Sequence, residues 1–179
     1  PGLAYTHLTV NGIKIAWPSN QVYYGIGWSE NEEWDTAVRR SFAAWNKVNN
    51  SLTITEDPSL RGQVAFNNTH LVVLDDSNAS GWFTDSSFVA VTPVWINGSG
   101  TITDADIILN GKDHQFDTRG ATGAFDLESI LAHEIGHFIG LDHTGVYGAT
   151  LYPYVKQQDF TPRTLTLDDI AGACSWMPQ

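Results

Sequence analysis

Two histidines four residues apart, His133 and His137, with Glu134 directly after the first, are the residues of this chain best suited to chemistry. On an α-helix that spacing puts both imidazoles on one face, one turn apart, so both can reach one metal ion. Glu134 is rotated by about a quarter turn and can lean over the ion without binding it. Gly140 can take a left-handed conformation and end the helix, after which the chain turns back and His143 can supply a third nitrogen. Three neutral imidazoles leave one tetrahedral position of Zn²⁺ open, which is the arrangement of a catalytic rather than a structural site. A buried helix has little other reason to carry two histidines and a glutamate on one side.

The chemistry of such a set is hydrolysis. A water at the open position becomes acidic, towards a pKa of ~7. Glu134 is placed to take its proton and later pass it to a leaving group, so no side-chain nucleophile is needed. Asp142 lies beside His143 but points elsewhere by spacing, and reads as structural.

The run His133-Glu134-x-x-His137-x-x-Gly140-x-x-His143 resembles the signature of the metzincin metalloproteases. Thr144, next after the third histidine, resembles the matrixin branch. So does Ala149-Thr150-Leu151-Tyr152-Pro153-Tyr154, with Leu151 where the matrixin turn has methionine. Leu165 to Ile170 resembles the opening of the matrixin C-terminal helix, and Thr103 to Asn110 a strand of bacterial matrixin-like enzymes. The likeness runs from about Trp17 to the end.

The resemblance implies a secreted zinc endopeptidase that acts on protein or peptide substrates. An extended substrate can add to an edge strand. The candidate edge is Phe88 to Val94, with Phe88, Val89, Ala90 and Val91 as contacting residues. By resemblance, Leu151 forms an apolar floor under the histidines and Tyr152, Pro153 and Tyr154 form a wall of the S1′ pocket. The same resemblance implies that Ser129, four residues before His133, sets the depth of that pocket. The animal enzymes' second, structural zinc is not expected, because the region offers only His70 and His114, at the wrong places, and both read as surface residues. Calcium is a candidate second ion, with Asp75, Asp76, Asp85, Asp104, Asp106, Asp113 and Asp117 as oxygen donors in or near loops.

Two other readings compete. One is a protein-binding module on a metzincin fold that keeps zinc without turnover; the intact Glu134 argues against it. The other is an astacin-like or serralysin-like branch. Those place a tyrosine two residues beyond the turn methionine, where this chain has Pro153.

The site needs a frame. Asp126 is a good N-cap for the active-site helix, whose core stripe is Leu127, Ile130, Leu131, Ile135 and Phe138. An earlier helix, capped by Ser29 with Glu32, runs to about Asn49 on the stripe Trp34, Val38, Phe42, Trp45 and Val48. Strands are expected at Gln21 to Trp28, Leu52 to Thr55, Val64 to Phe66, Leu71 to Leu74, Phe88 to Ile96 and Ile102 to Leu109. Asn110 to Thr122 reads as a polar loop. Thr166 and Asp169 cap a last helix with an inner stripe of Leu167, Ile170, Ala171 and a buried Cys174. The fold class is α+β: a twisted, mostly parallel β-sheet packed on two long helices, with a smaller C-terminal lobe that ends in a helix. The whole reads as one catalytic domain, residues 1–179, with lobes at 1–143 and 144–179.

Bulk properties set limits. Net charge is −11 with no basic run, which argues against nucleic acid as a partner. No apolar run approaches the ~20 residues of a membrane span. One cysteine excludes an internal disulfide. The start at Pro1 suggests a processed or trimmed form. The expectation is a secreted monomer.

Overall fold

A computed structural model describes residues 3–49 and 51–175 of the chain. The Pro1 start and the last four residues of the C-terminal lobe lie outside the described residues. Three two-residue strands come first: β1 (Thr6–His7), β2 (Thr9–Val10) and β3 (Ile13–Lys14). Then follow β4 (Gln21–Ile26), α1 (Glu32–Val48), β5 (Thr53–Glu56) and β6 (Leu71–Asp75). Next come β7 (Ala90–Val91), β8 (Val94–Ile96), β9 (Ile102–Ala105) and β10 (Ile107–Asn110). The chain continues through β11 (Gln115–Asp117), β12 (Ala124–Asp126), α2 (Leu127–Phe138), β13 (Leu141–Asp142) and α3 (Leu167–Cys174).

The principal sheet has five strands in the order β5-β4-β6-β10-β7. β4 pairs in parallel with β5 and β6, and β6 with β10, whereas β7 closes the edge antiparallel to β10. The architecture is α+β with a mixed sheet. α1 and α2 pack on it and on each other. Trp45 Nε1 donates to the carbonyl of Ala132 at 2.8 Å, and the ring of Phe42 stands edge-on to Phe138. Tyr24 of β4 stacks on Phe42, which ties the sheet to both helices. α2 is enclosed along nearly its whole length. A helix buried all round cannot drift, which suits one that must hold metal ligands.

Several local expectations change. The cap of α1 is Asn31, whose side chain accepts from the Trp34 amide; it outcompetes Ser29 because it stands directly before the first turn. Val64 to Phe66 forms no strand. Phe88 to Ile96 is two strands, because Pro93 offers no N–H to a ladder; β7 joins the principal sheet and β8 forms a hairpin with β9. Ile102 to Leu109 likewise breaks at Asp106. Asn110 to Thr122 contains β11, paired in parallel with β12. α3 faces inward with Asp168, Asp169, Gly172 and Ala173, while Leu167 is 79 % exposed and Cys174 is exposed. Its inner face carries carboxylates because these cap amides of other segments, and hydrophobic periodicity cannot register that. Asp168 accepts from the amides of Ala4 and Tyr5, and Asp169 from those of Thr150 and Leu151.

Candidate metal centre and active-site cleft

α2 begins where Asp126 accepts the Ser129 amide at 2.9 Å, and it ends before Gly140, whose φ is +94°. A side chain at Gly140 is doubly excluded, since a Cβ there would lie 2.8 Å from the Ile15 carbonyl. The chain turns at this glycine and brings His143 back over the helix.

The Nε2 atoms of His133, His137 and His143 form a triangle with all three sides 3.2 Å. Three nitrogens at 2.0–2.1 Å from one tetrahedral zinc stand about 3.3–3.4 Å apart, so the donor set fits that ion. Their tautomers fit as well. His133 Nδ1 is 2.8 Å from the Thr150 carbonyl, and His137 Nδ1 is 2.8 Å from the Leu141 carbonyl. A carbonyl only accepts, so each Nδ1 carries the proton and each Nε2 keeps its lone pair for a metal. Burial, with His137 beside it, lowers the His133 pKa to about 3 and keeps that imidazole neutral. Burial lowers His143 as well. Among the described residues these histidines are the one group of three or more His, Cys, Asp or Glu donors close enough to share an ion.

Glu134 is 6 % exposed, and burial raises its carboxyl above the usual range. Its Oε2 receives a 2.6 Å hydrogen bond from Thr92 Oγ1.

A cleft of about 440 Å³ opens over the histidines and Glu134. One wall is the run Ser87 to Thr92, which includes the expected Phe88, Val89, Ala90 and Val91; β7 lies at the sheet edge as an augmentation strand requires. Pro153, Tyr154 and Val155 form another wall. His114, Phe125 and Ile130 complete the lining.

Three expected contacts do not line it. Ser129 is not among the cleft-lining residues; its neighbour Ile130, just as buried, faces the cleft instead. Leu151 is 1 % exposed and packs under Gly136 on α2, as a floor and not as a cleft contact. Tyr152 lines a separate cavity of about 250 Å³ with Tyr147 and Tyr154.

His70 and His114 are half-buried and packed on neighbours, not free on the surface. His70 Nδ1 lies 2.8 Å from Asp104 Oδ1, and its ring packs on Trp17. His114 stands edge-on to Phe125. Most of the aspartates offered for calcium accept hydrogen bonds within the chain. Asp75 accepts the amides of Ser77, Ala79 and Ser80, and Asp85 that of Ser87. Asp104 and Asp106 bind amides of the segment from Ala65 to Leu71. Asp117 accepts from Arg119 and Ala121, and Asp113 from Asn110 Nδ2. Asp76 joins no donor cluster with the others. His114, Phe125 and Ile130 are cleft residues that sequence reasoning did not assign to the site, and Thr92 entered only as part of the candidate edge Phe88 to Val94. Only the break at Pro93 gave any sign that the chain is redirected at Thr92.

Residues 16–176 match the family described as Matrixin. The chain is 28 % identical over 171 residues to the hatching enzyme of Paracentrotus lividus, which is 89 % of this chain and 26 % of that protein. It is 38 % identical over 87 residues to metalloendoproteinase 1-MMP of Arabidopsis thaliana, 41 % of this chain and 22 % of that one. Identity is 42 % over 60 residues to metalloendoproteinase 4-MMP of the same plant, 34 % of this chain and 17 % of that one. The matched stretches thus cover about a quarter or less of these relatives' lengths.

Proposed function

The chain belongs to the matrixin family of metalloendopeptidases, and from that premise we propose that it is a secreted zinc endopeptidase whose residues 1–179 form one catalytic domain with lobes at 1–143 and 144–179. The observation that carries this reading is the equilateral 3.2 Å triangle of histidine nitrogens beside an enclosed carboxylate. Matrixins are zinc-dependent, and His133, His137 and His143 would hold the ion. When bound it supplies a Lewis acid that makes a water acidic and polarises the scissile carbonyl.

The chain's own residues do the rest. Substrate lies extended along Phe88 to Val91, adding a strand beside β7, so that backbone hydrogen bonds hold the scissile bond over the histidines. Pro153 and Tyr154 close the opposite side. The P1′ side chain enters the space between Phe125, Ile130 and Val155. Glu134 takes a proton from the attacking water, helped by burial that makes its carboxylate a stronger base. The same oxygen then returns the proton to the departing amine. The acidic charge and the absence of a basic run leave peptides, not nucleic acid, as partners. No described helix is long and apolar enough to cross a membrane. The protein acts as a monomer in this reading, since the cleft is complete within one chain.

Cleavage-site profiling on a peptide library, with and without a zinc chelator, tests the proposal. Endoproteolytic cuts that vanish with chelator and return with zinc are expected. Cuts that persist in chelator would overturn it.

A further inference from the structure

The geometry points to Thr92 as the residue that positions Glu134 for its work as base, an inference that rests on the peptidase reading above. Thr92 Oγ1 lies 2.6 Å from Glu134 Oε2. An ionised carboxylate only accepts, so the hydroxyl donates. Among the described residues this is the one side-chain hydrogen bond that the Glu134 carboxyl group receives. A carboxylate on a long side chain turns freely about its last torsion. One bond to Oε2 fixes its plane and leaves Oε1 free for the attacking water. The carbonyl of Glu134 lies 3.3 Å from the same hydroxyl, so the O–H keeps an acceptor on this residue when the carboxyl turns.

The local chain holds Thr92 still. It is β-branched, with few χ1 states. It precedes Pro93, which disfavours the helical region for the residue before it. Thr92 also follows β7 directly, so the strand that would pair with substrate and the hydroxyl that aims the base are one continuous piece of chain. Ordering of substrate along β7 therefore also orders the base. A threonine kept for packing alone would be replaceable by valine, which has the same shape without the donor.

The test uses the zinc-loaded full chain and a peptide substrate, comparing Thr92→Val, Thr92→Ala and Thr92→Ser with Glu134→Ala as the control for the reading beneath. Loss of aim should lower kcat about ten- to a hundredfold in both Val and Ala variants, as misplacement of a catalytic group does. KM should stay within about threefold of wild type, because the interaction is made to the base and not to bound substrate. Zinc content, measured by metal analysis, should be unchanged. Thr92→Ser should restore kcat to within about threefold. Full kcat in Thr92→Val and Thr92→Ala, a raised KM with kcat intact, or a Ser variant as impaired as Val would each overturn the positioning role. Should Glu134→Ala itself retain activity, the base assignment fails and this inference with it. An inactive Glu134→Ala beside a fully active Thr92→Val removes the positioning role alone.

Discussion

Leu151 and Gly136 leave no room between them: a Cβ added at residue 136 would lie 2.5 Å from Cδ2 of Leu151. Gly136 sits between the two helical histidines, so the residue under it sets how α2 rests on the C-terminal lobe. Asp169 holds the Leu151 turn from below by accepting the amides of Thr150 and Leu151. The turn in turn orients His133 through the Thr150 carbonyl.

Leucine in place of the turn methionine should therefore be tolerated. Leu151→Met keeps volume and should cost less than about 1.5 kcal/mol. Gly136→Ala should cost about 1–3 kcal/mol by overpacking. Combining it with Leu151→Ala should cost less than the two single changes added, because each relieves the other. Thermal melts of the four variants decide. Strict additivity would contradict the contact.

Ile130, not Ser129, should govern the P1′ preference. Ile130→Ala enlarges the cleft and should shift library profiles towards bulkier P1′ residues, at a stability cost of about 2–5 kcal/mol for a side chain that is 3 % exposed. Ser129→Arg places a charge at a site that is 2 % exposed and should destabilise the whole protein instead of changing preference. A folded Ser129→Arg enzyme with a shortened P1′ preference would restore the depth-setting role for that residue.

Arg163 grips the cap of the active-site helix. Its Nε donates to Asp126 Oδ2 at 2.8 Å and its terminal nitrogen to Oδ1 at 2.5 Å, with the Asp126 side chain fully buried. Arg163→Ala would leave that carboxylate buried without its partner, which typically costs about 3–5 kcal/mol. Denaturant melts would check it. A loss under about 1 kcal/mol, as for a surface pair, would refute the role.

Stability should carry a histidine signature. Burial, with Lys14 nearby, holds His7 at about 4 against an ordinary 6.5. Between those values the unfolded chain binds more protons than the folded one, so stability falls as pH drops from 6.5 towards 4. Asp106, raised by burial to about 7, has the opposite sign: the folded state takes up a proton that the unfolded carboxylate lacks, and stability rises as pH falls from 7 to 3.8. His7→Gln isolates the first effect. On zinc-loaded protein, its stability deficit relative to wild type should shrink as pH is lowered from 7 to 4.5. A deficit independent of pH would contradict the buried neutral His7.

The metal site was legible because its geometry is local. A four-residue spacing on one helix and a glycine that must turn left are properties of eleven consecutive residues, His133 to His143. The capping box of α3, Thr166 with Asp169, was legible for the same reason. What stayed hidden depends on distant partners. Thr92 and Glu134 are 42 residues apart, and nothing in either neighbourhood signals the other. The inner face of α3 was misjudged because its aspartates are buried by amides from the first and the penultimate stretches of chain. His70 looked like a surface residue until Asp104, 34 residues on, gave it a buried partner. Ser129 shows a narrower failure. The α2 register was right, but which of two adjacent residues reaches the cleft depends on how the opposing loop is placed.

The central claim is that His133, His137 and His143 hold zinc and that Glu134 alone among the four acts on the proton. The most direct measurement is metal analysis beside a peptide assay on Glu134→Ala. One zinc per chain and a wild-type melt, with turnover reduced at least about a hundredfold, are predicted, because a positioned general base contributes about 10²–10⁴. Turnover within about tenfold of wild type, with zinc retained, would contradict the account.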